Sequence, residues 1–118
     1  MDEKTFKQRT KQLGIAVIGL VNKLPRTMAA EVLAKQIVRS STSVGANYRA
    51  ACWAKSAPDM INKLKIVEEE ADETAYWLEV LTESKTLNQT QVAALAKETD
   101  EILAMTVASL KTLRGKKS

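Results

Sequence analysis

Apolar residues recur along this chain at alternating steps of four and three, the seam of a helix that buries one stripe against neighbours. In residues 2–24 the seam reads Phe6, Thr10, Leu13, Val17, Leu20, Leu24, with Ile18 and Val21 widening it. In residues 27–55 it reads Leu33, Ile37, Ser40 or Ser41, Val44, Tyr48, Ala51. In residues 58–85 it reads Met60 or Ile61, Leu64, Val67, Ala71, Thr74 or Ala75, Leu78, Leu81, with Tyr76 and Trp77 placed to seal one end of a core. In residues 89–114 it reads Val92, Leu95, Thr99, Ile102, Thr106, Ser109 or Leu110, Leu113. Basic residues 114–118 then form a short tail expected to fray.

The breaks between these segments carry their own chemistry. Pro25 disfavours helix at Leu24 and favours a new start, which Thr27 can cap with Glu31 in the first turn. Ser56 precedes Pro58 in the same arrangement, and residues 87–90 form the last break. Four helices joined by short turns predict an all-α, antiparallel up-down-up-down four-helix bundle in a single domain spanning residues 1–118.

One stretch departs from the bulky aliphatic pattern. Between Val38 and Ala51 the side chains are mostly small, including Ser43, Gly45, Ala46 and the neighbouring amide of Asn47. Small residues let a second helix come close, and Gly45 costs the helix about 1 kcal/mol relative to Ala, which tertiary contacts must offset. Two readings stay open: close helix packing, or a binding and assembly surface. Lys35, Arg39, Thr42, Ala46 and Arg49 fall near one line along the helix. That line is a flat basic edge of the sort that suits phosphate backbones, although rows of exposed cations also occur without a partner. Lys4, Lys7 and Lys11 form another such row on the first helix, read here as a solvated face.

Composition narrows the class. Among 118 residues there are only 4 Gly and 2 Pro, and 45% are hydrophobic, as expected of a helical globular domain. The net charge of +4 is unevenly spread: residues 58–85 are acidic and the remainder basic, which points to an acidic partner or to self-association through opposite faces. The single cysteine, Cys52, excludes an internal disulfide and fits a reducing cytoplasm. No apolar run is long enough to span a membrane.

Catalytic chemistry finds little support. With no histidine there is no Cys–His or Ser–His pair and no Glu-x-x-His di-iron motif, and no glycine-rich nucleotide loop is present. The remaining possibility is a Mg²⁺-dependent nucleotide pyrophosphohydrolase built on carboxylates at i and i+3: Glu69 with Asp72, Glu70 with Glu73, and Glu98 with Glu101. Against it, the acidic cluster from Glu68 to Glu73 wraps around its helix. The expectation is a protein with no catalytic residues, no metal site and no cofactor.

Two motifs carry a resemblance. Arg39, Ser43, Val44, Ala46 and Asn47 in the second helix, and Glu70, Ala71, Glu73, Thr74, Tyr76, Trp77, Leu78 and Glu79 in the third, resemble the bacterial four-helix-bundle family of 23S rRNA intervening-sequence proteins. The resemblance covers residues 5 to about 113. It departs at Gly45, where the family usually has Pro, and at Ala51, where Gly is frequent. It implies no enzymatic activity. The accessory proteins of diversity-generating retroelements look like relatives, and they imply a homo-oligomer, a ring-like pentamer, whose basic surface engages nucleic acid and a protein partner. Under that resemblance Arg39 and Arg49 become candidates to contact RNA or DNA, with Lys35 added from spacing alone. Asn47 either bonds across a helix interface or contacts a ligand. A structural adaptor that binds only a protein partner is the alternative.

Overall fold

The computed structural model describes residues 2–117, and no side chain is described beyond Gly115. Four helices follow in order: α1 (Glu3–Val21), α2 (Met28–Ala51), α3 (Ala57–Glu83) and α4 (Gln89–Lys117). Each starts at a side-chain cap. Asp2 accepts from the Thr5 amide at 2.7 Å, Thr27 from Ala30 at 3.1 Å, and Ser56 from Asp59 at 3.2 Å. At α4 the cap is reciprocal: the Asn88 carboxamide accepts from the Gln91 amide, and Gln91 accepts from that of Asn88, both at 2.9 Å.

The ends differ from the periodicity most at three places, while α3 is shifted by no more than two residues at either end. Helix α1 stops at Val21, because Leu24 must leave helical geometry ahead of Pro25. Helix α2 stops at Ala51, not near Lys55; the amides of Cys52, Trp53 and Ala54 turn back onto Tyr48, Ala50 and Ala51. Helix α4 runs on through the expected tail to Lys117, and Ser118 lies outside the described residues. The α3–α4 turn uses Lys85 at φ 61°, a left-handed conformation unusual for a side-chain-bearing residue, and the Leu87 amide returns to the Leu81 carbonyl.

Consecutive helices lie side by side and α4 closes against α1, while among the described residues the Cα atoms of diagonal helices stay more than 8 Å apart. The result is a square bundle 49 Å long and 21 × 20 Å across. Helices α1 and α2 run in opposite directions, since Gly14 meets Thr42 and Thr10 meets Gly45, and α3 and α4 continue the alternation, Ala51 packing with Ile61 and Leu81 with Val92. The core is layered along the axis. Val17, Leu20, Ile37, Leu78, Leu81 and Val92 fill one end. Phe6, Leu13, Val44, Val67, Ala71 and Ile102 fill the middle, and Ala51, Ile61, Leu64 and Leu110 the other end. Trp77 packs against the first of these layers, while Tyr76 is 55% exposed and meets Trp77 edge-on.

Six hydroxyl residues interrupt the aliphatic seam: Thr10, Ser40, Ser41, Thr74, Thr99 and Thr106 are all buried. Each returns its hydroxyl to a carbonyl three or four residues back, as Thr106 does to Ile102 at 2.8 Å. Among the described residues no buried side-chain polar atom lacks a partner, so these positions escape the cost of an unsatisfied buried group.

Candidate functional site

The small-residue stretch of α2 faces α1 at its closest crossing. A Cβ on Gly45 would lie 3.0 Å from the Thr10 carbonyl oxygen, and one on Gly14 would lie 3.2 Å from the Thr42 methyl. On the α3 side Ser40 Oγ sits 2.9 Å from Thr74 Oγ1. Close helix packing therefore accounts for Gly45 and the buried serines. Ala46 and Thr42 stay exposed on the outer surface. Among the described residues Asn47 makes no bond across the helix interface: its Nδ2 donates to the Ser43 carbonyl at 2.9 Å and to Ser43 Oγ at 2.8 Å, one turn back in the same helix. A four-residue spacing puts the two side chains on one face, so the local bond forms first.

The three α2 cations separate. The Arg39 guanidinium crosses to α3, donating to Glu70 at 3.1 Å and to Glu73, which also accepts from Trp77 Nε1 at 3.0 Å. Lys35 and Arg49 are exposed and, among the described residues, form no ion pair. Arg49 lines a groove between α1 and α2 together with Lys4, Lys7 and Lys11. Lys4 and Lys11 of that row are exposed, and the antiparallel register carries the row beside the C-terminal part of α2. The clue in the sequence was the match between an i, i+3, i+7 lysine row near the start of one helix and an arginine near the end of the next.

The groove belongs to a larger basic end. The N-termini of α1 and α3 and the C-termini of α2 and α4 meet there around Ala51, Leu64 and Leu110. Among the described residues, exposed Lys55, Lys65, Lys111 and Arg114 surround it, against only Asp2, Glu3 and Asp59. Asp59 is engaged by Lys63 at 2.8 Å, which with the Lys55 amide holds its carboxyl below the usual range. Glu3 reaches Lys7 at 3.8 Å.

The paired carboxylates have another use. Glu70 and Glu73 seat Arg39, and Glu98 and Glu101 seat Arg9 of α1, with Arg9 Nη2 2.5 Å from Glu98 and 3.0 Å from Glu101. Arg9 Nε adds a 2.9 Å bond to Glu98, and Nη1 lies 3.5 Å from the Met105 sulfur. These contacts raise the Arg9 pKa further, Glu98 contributing most. Two of the three i, i+3 pairs available to Mg²⁺ are therefore arginine clamps that tie neighbouring helices. Among the described residues no three of His, Cys, Asp and Glu are grouped to hold a metal ion. Nothing local in the sequence marks Arg9, whose partners lie about ninety residues away in the chain.

Cys52 and Tyr48 lie together where α2 ends. Burial pushes the Cys52 thiol above its ordinary range, with Glu3 adding to the shift and Tyr48 opposing it. Burial likewise raises the Tyr48 phenol, whose ring meets Phe6 edge-on at 4.6 Å. Cys52 is a half-buried thiol, and no lowered pKa equips it as a nucleophile.

No described helix is long and apolar enough to cross a membrane. The fold and its clamps define a helical-bundle protein with a basic end. The chain belongs to the 23S rRNA-intervening sequence protein family, whose model matches residues 3–108. Among solved structures it is similar to a protein of unknown function from the S23 ribosomal protein family of Bacteroides thetaiotaomicron, with 34% identity, a TM-score of 0.86, and coverage of 94% of this chain and 99% of the other. No curated protein matches it.

Proposed function

We propose that this chain is a non-enzymatic, self-associating bundle protein of the cytoplasm that binds RNA or DNA through its basic end. The observation that supports this most is the gathering of unpaired cations, Lys4, Lys11, Arg49, Lys55, Lys65, Lys111 and Arg114, where all four helices terminate. Lys35 lies further along α2, and Arg39 serves the fold. Binding of this kind is electrostatic, indifferent to sequence and steeply salt-dependent, because each neutralised phosphate releases counterions. Self-association draws on apolar side chains that the monomer leaves in water, among them Ile15 at 49%, Val32 at 55% and Met28 at 85% exposure. A ring of five copies is the assembly the family resemblance implies.

The test is fluorescence anisotropy with labelled RNA and DNA across a salt series, on protein whose mass is fixed by light scattering. Affinity falling steeply with salt, and lost in Lys11→Glu/Arg49→Glu, is the expected result. No binding at low salt, with capture of a protein partner that survives nuclease, would favour the adaptor reading instead.

A further inference from the structure

The groove between α1 and α2 ends at Trp53. This is the bulkiest apolar side chain left in water, with 79% of its surface exposed. It is not on a loose segment: the Trp53 amide donates to the Ala50 carbonyl at 3.1 Å, and the flanking Cys52 and Ala54 amides are bonded in the same turn. The chain therefore holds an indole in solvent on a fixed support. Beside it the groove is walled by Lys4, Lys7, Lys11 and Arg49, and no carboxylate lines it. Its floor is low where Gly14 and Gly45 bring the two helices together. The three lysines follow one another about 5 Å apart along α1.

We infer that this groove seats a single-stranded segment of nucleic acid, with its phosphates along the lysine row and Arg49 and an unpaired base stacked on Trp53. The inference rests on the nucleic-acid reading above and narrows it to a strand class. A groove binding phosphates alone would take a duplex equally well and would gain nothing from an exposed indole. Stacking requires a base whose face is free, which a duplex withholds and a single strand offers. Charge complementarity favours a polyanion over an apolar helix of a partner protein, since among the described residues the groove's four cations outnumber the one carboxylate that meets them, Glu3 at 3.8 Å from Lys7, and would repel basic surfaces and lose hydration against apolar ones.

The experiment compares a labelled 20-nucleotide oligo-U, oligo-dT and a blunt duplex of equal length, at low salt, for the wild type, Trp53→Ala, Trp53→Phe and Lys7→Glu/Lys11→Glu. Circular dichroism confirms folding, which the exposure of Trp53 favours. The expected result is tighter binding of the single strands. Trp53→Ala should weaken this about 5- to 100-fold, with Trp53→Phe retaining most of it and duplex binding unmoved. If Trp53→Ala binds single strands like the wild type while the lysine variant loses them, stacking is refuted and the nucleic-acid reading stands. If the wild type binds neither strand nor duplex, both fall. If Trp53→Ala changes the mass in light scattering and leaves binding untouched, the groove is a contact between subunits and the inference is overturned.

Discussion

Gly45 lies so close to Thr10 that a single added carbon would stand 3.0 Å from the Thr10 carbonyl oxygen. The neighbour is helix backbone, which cannot swing aside as a long side chain would. Helix α2 thus accepts the low helix propensity of glycine at its centre because α1 occupies the space a Cβ needs.

Gly45→Ala is therefore expected to destabilise the bundle although alanine is the better helix former. Overpacking costs about 1–3 kcal/mol against a propensity gain of about 1 kcal/mol, and the net loss should lower the Tm by several degrees. Gly19 provides the control, since nothing lies within 4 Å of the Cβ it lacks. Gly19→Ala should raise stability by about 0.5–1 kcal/mol. Thermal melts of the two variants showing the same sign would refute the close-approach account.

Arg9 ties α1 to α4 through two carboxylates one turn apart. Removing the guanidinium leaves Glu98, whose side chain is only 33% exposed, facing Glu101 without a counter-charge. Arg9→Met should cost about 1–2 kcal/mol, near the lower part of the range for hydrogen bonds to charged groups because the site is partly wet. In a double-mutant cycle with Glu98→Gln the coupling should be about 0.5–2 kcal/mol and shrink in high salt. Strict additivity would show that the pair contributes nothing.

Arg39 and Arg49 look equivalent in the sequence, ten residues apart on one basic edge, yet their reversals should act on different properties. Arg39→Glu places a third carboxylate against Glu70 and Glu73, so it should lower the urea midpoint clearly. Arg49→Glu faces only the lysine-rimmed groove and should leave the midpoint within about 0.5 kcal/mol of the wild type while weakening nucleic-acid binding. An unfolding profile in which both variants match the wild type would remove the structural role of Arg39.

The same pair shows where reading the sequence stops. Periodicity placed most core residues, including the buried hydroxyls Thr10, Thr99 and Thr106, and left Thr74 open against Ala75, because a side chain's face on a helix depends on residues three and four away, but it put Ile18 in the seam, where it is 43% exposed. The Thr27 and Ser56 caps were legible for the same reason. The partners of charged residues were not. Whether Arg39 greets solvent or Glu70, or Arg9 meets Glu98, depends on the register between helices, which local spacing does not contain. Helix ends erred where backbone bonds in a turn outweighed propensity, as from Cys52 to Lys55. Trp53 lies just beyond the end of α2, where helical periodicity assigns it no face.

Cys52 and Tyr48 link stability to alkaline pH. Burial raises the pKa of both groups in the folded chain, so the folded state favours their neutral forms. Below the unfolded thiol pKa of about 8.5 both states keep the groups neutral and stability is undiminished. Above it the unfolded chain loses its proton first, is stabilised by doing so, and folding stability falls as pH rises toward the folded value. The urea midpoint should therefore drop above about pH 8.5 through Cys52 and further above about pH 10 through Tyr48, the first drop being smaller in Cys52→Ala and the second in Tyr48→Phe. Alkylation of Cys52 at about pH 8 should be slower in the folded chain than in urea, because the thiolate is the reacting species. A midpoint equally pH-dependent with and without Cys52 and Tyr48 would refute this linkage.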